Sequence, residues 1–177
     1  MAPLATPHWE AVTPEARRLL TVLGQLPLLQ PFYLGGGTAL ALCVNGQAVS
    51  FFTYGYPLLE PTDRVAQVQV AGLVDIGLMK LDAIAGRGMR KDFYDLYFIA
   101  SHVTLVELFD RGIDKYPESQ GFEMRVLTAL VDFGAADQEE EPMLLLPASW
   151  EEVKAFFVAE SRRIGREWFG LAGMERV

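Results

Sequence analysis

The stretch LVDIGLMKLDAIAGRGMRKDFYDLYFIA, Leu73–Ala100, reads as two helices joined by a short Arg-Gly hinge. The first, Leu73–Ala85, is apolar nearly all round, the mark of a buried helix rather than a surface one. Its charges are Asp75, Lys80 and Asp82. At about 100° per residue, Asp75 and Asp82 fall on one side, while Lys80 and Arg87 line up roughly 140° away. Arg87-Gly88-Met89-Arg90 then breaks the helix, with Gly88 free to turn left-handed. The second helix sets Phe93, Leu96, Tyr97 and Ala100 at core spacing, and Asp92 and Asp95 three apart on another face. A buried lysine, an arginine and two carboxylates are thus predicted to converge on one helical corner.

Two readings fit such a corner. In the structural one, Asp92 caps its own helix and Lys80 pairs with a nearby carboxylate; ion pairs of that kind also perturb charge without any function. In the other, the same groups form a site. The motif closely resembles the corresponding stretch of the abortive-infection nucleotidyltransferase family, the AbiEii-type toxins. Its pattern there is roughly D-I-x-x-M-K-x-x-A-I-x-x-R-G-x-x-K-D-F-x-D-L, a long and specific match.

The chain has 177 residues, 51% of them hydrophobic, which suits one domain with a sizeable core. With 15 basic against 23 acidic residues the net charge is −8. That argues against non-specific binding along a nucleic-acid backbone, yet leaves room for a local basic pocket for a nucleotide or an RNA end. The single cysteine, Cys43, cannot form an internal disulfide and suits a reducing compartment. No leader opens the chain, and no apolar run approaches the roughly 18 residues of a membrane span. A cytoplasmic protein with no membrane association is therefore expected.

Met1–Val12 is neutral, bears prolines and is expected to be flexible. Thr13-Pro14-Glu15 signals a helix start: a cap, a proline in the first turn and an acid for the dipole. That helix should carry Leu19, Leu20, Val22, Leu23 and Leu26 inward. Phe32-Tyr33-Leu34 reads as a short buried strand, followed by Gly35-Gly36-Gly37-Thr38 and the helix-forming Ala39–Leu42. Strand, glycine turn and helix start can together bind an anion through bare amides, although three glycines equally permit tight packing. Asn45-Gly46 signals a hairpin turn and Ala48–Tyr54 a strand, but a helix runs into that turn where a partner strand belongs. Leu58–Arg64 reads as a loop and Ala66–Val70 as a half-buried strand. Leu105–Asp114 and Phe122–Phe133 read as amphipathic helices joined by Tyr116–Gly121. Gly134–Pro142, with Asp137, Glu139, Glu140 and Glu141, reads as a solvated acidic loop. Trp150–Phe169 is a final helix capped by Ser149. His8 and His102 are isolated, Cys43 is expected in the core, and Trp9, Trp150 and Trp168 are expected to pack.

FYLGGGTALAL resembles the first motif of the same toxin family, and the order L-V-D-F, P-M-L, W-E-E-V-K-x-F-F resembles its C-terminal part. Family members usually continue from the glycine motif with His-Arg and an Asp-x-Asp pair. Only later comes the V-N-G-x-x-V-S-F-F-x-Y-x-Y-P strand, which stands here at Val44–Pro57. The intervening segment is absent: either the protein has lost it, or the sequence in hand omits it. No Asp-x-Asp occurs in the 177 residues, so the metal ligands stay unassigned. The resemblance implies a phosphate cradle at Gly35, Gly36, Gly37 and Thr38 with Arg87 beside it, and catalytic roles for Lys80, Asp92 and Asp95. It implies magnesium and a nucleoside triphosphate if the protein is active, an RNA or protein acceptor, and a cognate antitoxin.

The expected fold is α+β: a nucleotidyltransferase-like small mixed sheet with flanking helices and a helical C-terminal half. The expected divisions are a flexible 1–12, a core over 13–100 and a helical region over 101–177. Two functions remain open: nucleotide transfer to RNA or protein if metal-binding acids exist outside this chain, or an inactive member that binds nucleotide or partner. The edge of Ala48–Tyr54, with Val49, Phe51 and Phe52, further predicts a homodimer.

Overall fold

The computed structural model describes residues 13–27, 33–34, 54–65, 68–142, 144 and 146–170. The glycine turn Gly35–Thr38, Ala39–Leu42, Cys43, the Asn45-Gly46 turn, most of Ala48–Tyr54, His8 and Trp9 lie outside the described residues. The architecture is α+β, as expected. Six α-helices stand among the described residues: α1 Pro14–Gly24, α2 Leu73–Arg87, α3 Arg90–Ile99, α4 Leu105–Lys115, α5 Phe122–Ala129 and α6 Trp150–Trp168. Three short strands, β1 Tyr33–Leu34, β2 Asp63–Val65 and β3 Val68–Val70, form one mixed sheet. The chain divides into two compact units, Met1–Ile76 and Gly77–Val177.

In the first unit β3 is central, parallel to β1 and antiparallel to β2. Ala66 and Gln67 of the expected strand lie outside the described residues, and Asp63 pairs with Val70, Arg64 with Gln69 and Val65 with Val68 in the antiparallel β2–β3 ladder. This corrects the loop expected over Leu58–Arg64, which ends at Thr62; a three-residue strand is too short to declare itself by alternation. Thr13 caps α1 by accepting from the Ala16 amide at 3.2 Å, with Pro14 in the first turn. Leu19, Leu20 and Leu23 are half-buried, but Val22 is 56% exposed and Leu26 is exposed as well. Val22 lies roughly 110° from the centre of the Leu19–Leu20–Leu23 face at helical spacing, and Leu26 follows the helix end, so neither faces inward.

In the second unit the core gathers on Phe93, whose ring meets those of Phe133, Trp150 and Phe157 at 5.3, 5.7 and 5.5 Å. Leu78, Leu81, Leu96, Leu105, Leu108, Val126, Leu130 and Val153 are fully buried around them. Capping boxes start α4 at Thr104 with Glu107 and α6 at Ser149 with Glu152. Tyr116 follows α4, and its hydroxyl donates to the Leu78 carbonyl at 3.0 Å. α5 ends at Ala129, four residues before the expected Phe133. No helix among the described residues is long and apolar enough to cross a membrane.

Candidate functional site

The α2–α3 corner is built as the helical spacing predicts. α2 ends at Arg87, Gly88 turns at φ 57°, and α3 starts at Arg90. Lys80 projects from α2 and donates to Asp92 Oδ1 at 3.0 Å, and its ammonium also pairs with Asp95 Oδ2. Arg87 closes the corner with two bonds to Asp92, Nε to Oδ2 at 2.8 Å and Nη2 to Oδ1 at 3.0 Å. Asp92 is sealed and Lys80 is 6% exposed, whereas Arg87 and Asp95 are 43% and 44% exposed. The corner thus has a buried half that fixes geometry and an open half that faces solvent.

Electrostatics follow from that arrangement. Burial pushes the Asp92 carboxyl up, but the Arg87 hydrogen bond and the Lys80 and Arg87 charges outweigh it and hold the group below the usual carboxylate range. Its place in the first turn of α3 helps in the same direction. The Asp92 hydrogen bond lifts the Arg87 guanidinium above its usual value against burial, and the charges of Asp92 and Glu139 add to it. Two cations and two carboxylates leave the corner formally neutral.

Asp92 does not cap α3. The N-cap is Met89, which offers no side-chain acceptor. The first amide of the helix, that of Arg90, instead donates to Glu139 Oε2 at 2.8 Å. Glu139 belongs to the acidic run, which is largely exposed as expected but also makes contacts that the sequence did not show. Arg90 Nε donates to the Ala136 carbonyl at 2.9 Å, and Nη1 to Glu141 Oε2 at 2.9 Å. Its guanidinium also lies over the Trp150 ring, 5.1 Å from the centroid. Tyr94 donates its hydroxyl to Glu141, and Trp150 Nε1 donates to Asp137 Oδ1 at 2.6 Å. Asp137, Glu139 and Glu141 therefore also bind α3 and α6, while Asp137, Glu140 and Glu141 stay exposed to solvent. The only sequence signal was the acid run itself, which carries no hint of partners some fifty residues away.

The sequence grouped Asp75 and Asp82 on one side of α2, and they serve separate contacts. Asp75 is fully buried and accepts from the Leu59 and Glu60 amides, each at 3.0 Å. Asp82 takes Arg125 Nη2 at 3.4 Å. Among the four residues placed at the corner, Lys80, Arg87, Asp92 and Asp95, all meet. Gly35, Gly36, Gly37 and Thr38 lie outside the described residues.

The described residues do not fit a divalent cation. Both Asp92 oxygens are taken by cationic side chains, and no group of three or more His, Cys, Asp or Glu side chains suited to a metal occurs among the described residues. What the open half can do is present one cation, the Arg87 guanidinium held in place by Asp92, beside the Asp95 carboxylate.

A family model described as nucleotidyl transferase AbiEii toxin, Type IV TA system, matches residues 51–168. That span holds Lys80, Arg87, Asp92 and Asp95, and begins after Gly35–Thr38. An uncharacterized protein of Aquifex aeolicus (strain VF5) is 36% identical over 121 residues, which cover 67% of this chain and 57% of that protein. The chain thus spans less than two thirds of that relative's length. No solved structure matches.

Proposed function

Since the chain belongs to the nucleotidyl transferase AbiEii toxin family, we propose that the Lys80–Arg87–Asp92–Asp95 corner acts on a nucleoside triphosphate and transfers its nucleotide to RNA or to a protein. In that reaction an acceptor hydroxyl attacks the α-phosphorus. The new bond joins the acceptor oxygen to phosphorus, and the bond to the departing pyrophosphate breaks. Lys80 and the open side of Arg87 would meet phosphate oxygens as negative charge builds on the leaving group. Asp92 holds both cations in place. Asp95, the half-exposed carboxylate, would take the proton of the acceptor hydroxyl. Gly35, Gly36, Gly37 and Thr38 would cradle the phosphates through backbone amides. The observation that carries this reading is a nearly buried lysine held between two carboxylates within the span matched by the family.

A second reading, nucleotide or partner binding without transfer, is favoured by the absence of Asp-x-Asp from the 177 residues. One experiment separates the two. The full chain is incubated with each labelled nucleoside triphosphate, magnesium, and RNA or protein acceptors, with calorimetric titration of the same nucleotides in parallel. Label transfer abolished by Lys80→Ala supports the transferase. Binding without transfer, weakened by Lys80→Ala, supports the binding reading. Neither binding nor transfer by wild type rejects both. A cognate antitoxin, a cytoplasmic site of action and pairing of two copies through Ala48–Tyr54 complete the proposal; light scattering of the pure chain tests the pairing.

A further inference from the structure

The α2–α3 corner places its key carboxylate near the start of a helix that cannot cap itself. Met89 contributes no side-chain acceptor, and Asp92 is committed to Lys80 and Arg87. An uncapped first turn frays, because its amides have no partners inside the helix. Asp92 is the third residue of α3, so fraying would carry it away from Lys80. Glu139 prevents this by accepting from the Arg90 amide at 2.8 Å.

Glu139 can do so because its loop is fastened on both sides. Arg90 reaches back to the Ala136 carbonyl at 2.9 Å and to Glu141 at 2.9 Å. The Tyr94 hydroxyl donates to Glu141 from the next turn of α3. At the other side, Trp150 Nε1 donates to Asp137 at 2.6 Å, and Lys154 Nζ lies 3.4 Å from the same carboxylate. The short 3-10 turn Ala136–Gln138 lets one three-residue step present Asp137 to α6 and Glu139 to α3.

We infer that Glu139 is a positioning residue, capping α3 so that Asp92 stays between Lys80 and Arg87. It deepens the proposed function, since it gives the acidic loop a part in the same site. A substituted acidic loop would then change the site without touching it.

The test reads Asp92 itself, by carboxyl-carbon NMR titration of the full chain, and needs no nucleotide. Direct electrostatics and positioning predict opposite signs. Removing a negative charge alone would lower the Asp92 midpoint. Loosening α3 weakens the grip of Lys80 and Arg87 and raises it, by about one pH unit in Glu139→Ala. Glu139→Gln keeps an acceptor oxygen for the Arg90 amide and should stay near wild type, as should Glu140→Ala at the exposed neighbour. A rise in Glu139→Ala that Glu139→Gln does not share supports the inference. A fall, or no change, in Glu139→Ala overturns it. Should Glu139→Ala fail to fold, hydrogen exchange of the wild-type Arg90 amide decides: protection supports the cap, and exchange at the rate of an open chain overturns it. Calorimetry with ATP runs beside these. Failure of wild type to bind ATP would count against the proposed function and leave the Asp92 result to judge Glu139.

Discussion

Arg87 grips Asp92 through a two-pronged contact, Nε at 2.8 Å and Nη2 at 3.0 Å, on a carboxylate that has no solvent exposure. A lysine cannot reproduce this planar fork, since its ammonium is a single point of charge. Arg87→Lys should therefore lower stability by about 1 kcal/mol in urea unfolding, a modest loss because Arg87 is itself half-exposed. Lys80→Met removes a buried partner and should cost more, about 3 kcal/mol. Equal stability for both variants would mean that Lys80 and Arg87 do not share Asp92 as described.

Acid should loosen the corner at a defined point. The Asp92 carboxyl is held below its ordinary value of 3.8 in the folded protein. Its contribution is therefore fully present above that value and is lost as pH falls below it, toward the depressed folded pKa. Thermal unfolding followed from pH 6 downward should show a loss in wild type that is shallower in Asp92→Asn. Parallel curves for the two proteins would refute it.

In the first unit, Glu60 and Asp75 hold each other's segments. The Glu60 amide donates to Asp75 Oδ2 at 3.0 Å, while the Val74 amide points at Glu60 Oε2 from 3.4 Å. Asp75→Ala strands the amides of Leu59 and Glu60 and should destabilise by about 2 kcal/mol. Gly72→Ala should do so by about 1–3 kcal/mol, since its Cβ would stand 2.9 Å from that of Glu60. Limited proteolysis between Tyr54 and Thr62 reads both variants; wild-type cleavage rates would contradict the prediction.

Tyr94 is sealed and donates to Glu141, and burial followed by that carboxylate pushes its hydroxyl well above the ordinary 10.0. Its contribution is complete below pH 10 and lost as pH rises beyond it. Burial also raises Tyr33, so an ultraviolet titration should show one fewer tyrosine ionising late or only on unfolding in Tyr94→Phe than in wild type. Stability of Tyr94→Phe should fall by about 1 kcal/mol at neutral pH.

The corner was legible because its partners sit on two successive helices, where spacing converts position into direction. Lys80 and Arg87 share a face seven residues apart, and Asp92 and Asp95 lie three apart just beyond the turn. Thr13 and Ser149 were equally legible as caps, since a cap acts on amides two or three residues away. The cap of α3 was not, because Glu139 lies 49 residues from Arg90. Nor was the fate of Glu141, since an acid run in isolation looks the same whether water or an arginine receives it. β2 escaped notice for another reason: its identity comes from the register with β3 rather than from its own three residues.

Gly88 separates handedness from room. At φ 57° its backbone has the sense that L-residues avoid, yet an added Cβ would find the Ile84 carbonyl no closer than 3.6 Å, an ordinary contact. The hinge is thus chirally demanding and sterically open. In a chemically synthesised chain, D-alanine at this position should be accepted and should stiffen the unfolded polymer, raising stability. L-alanine should cost about 1 kcal/mol. Mirror-image residues at one carbon would then report the bare conformational preference of the turn on which the two helices pivot.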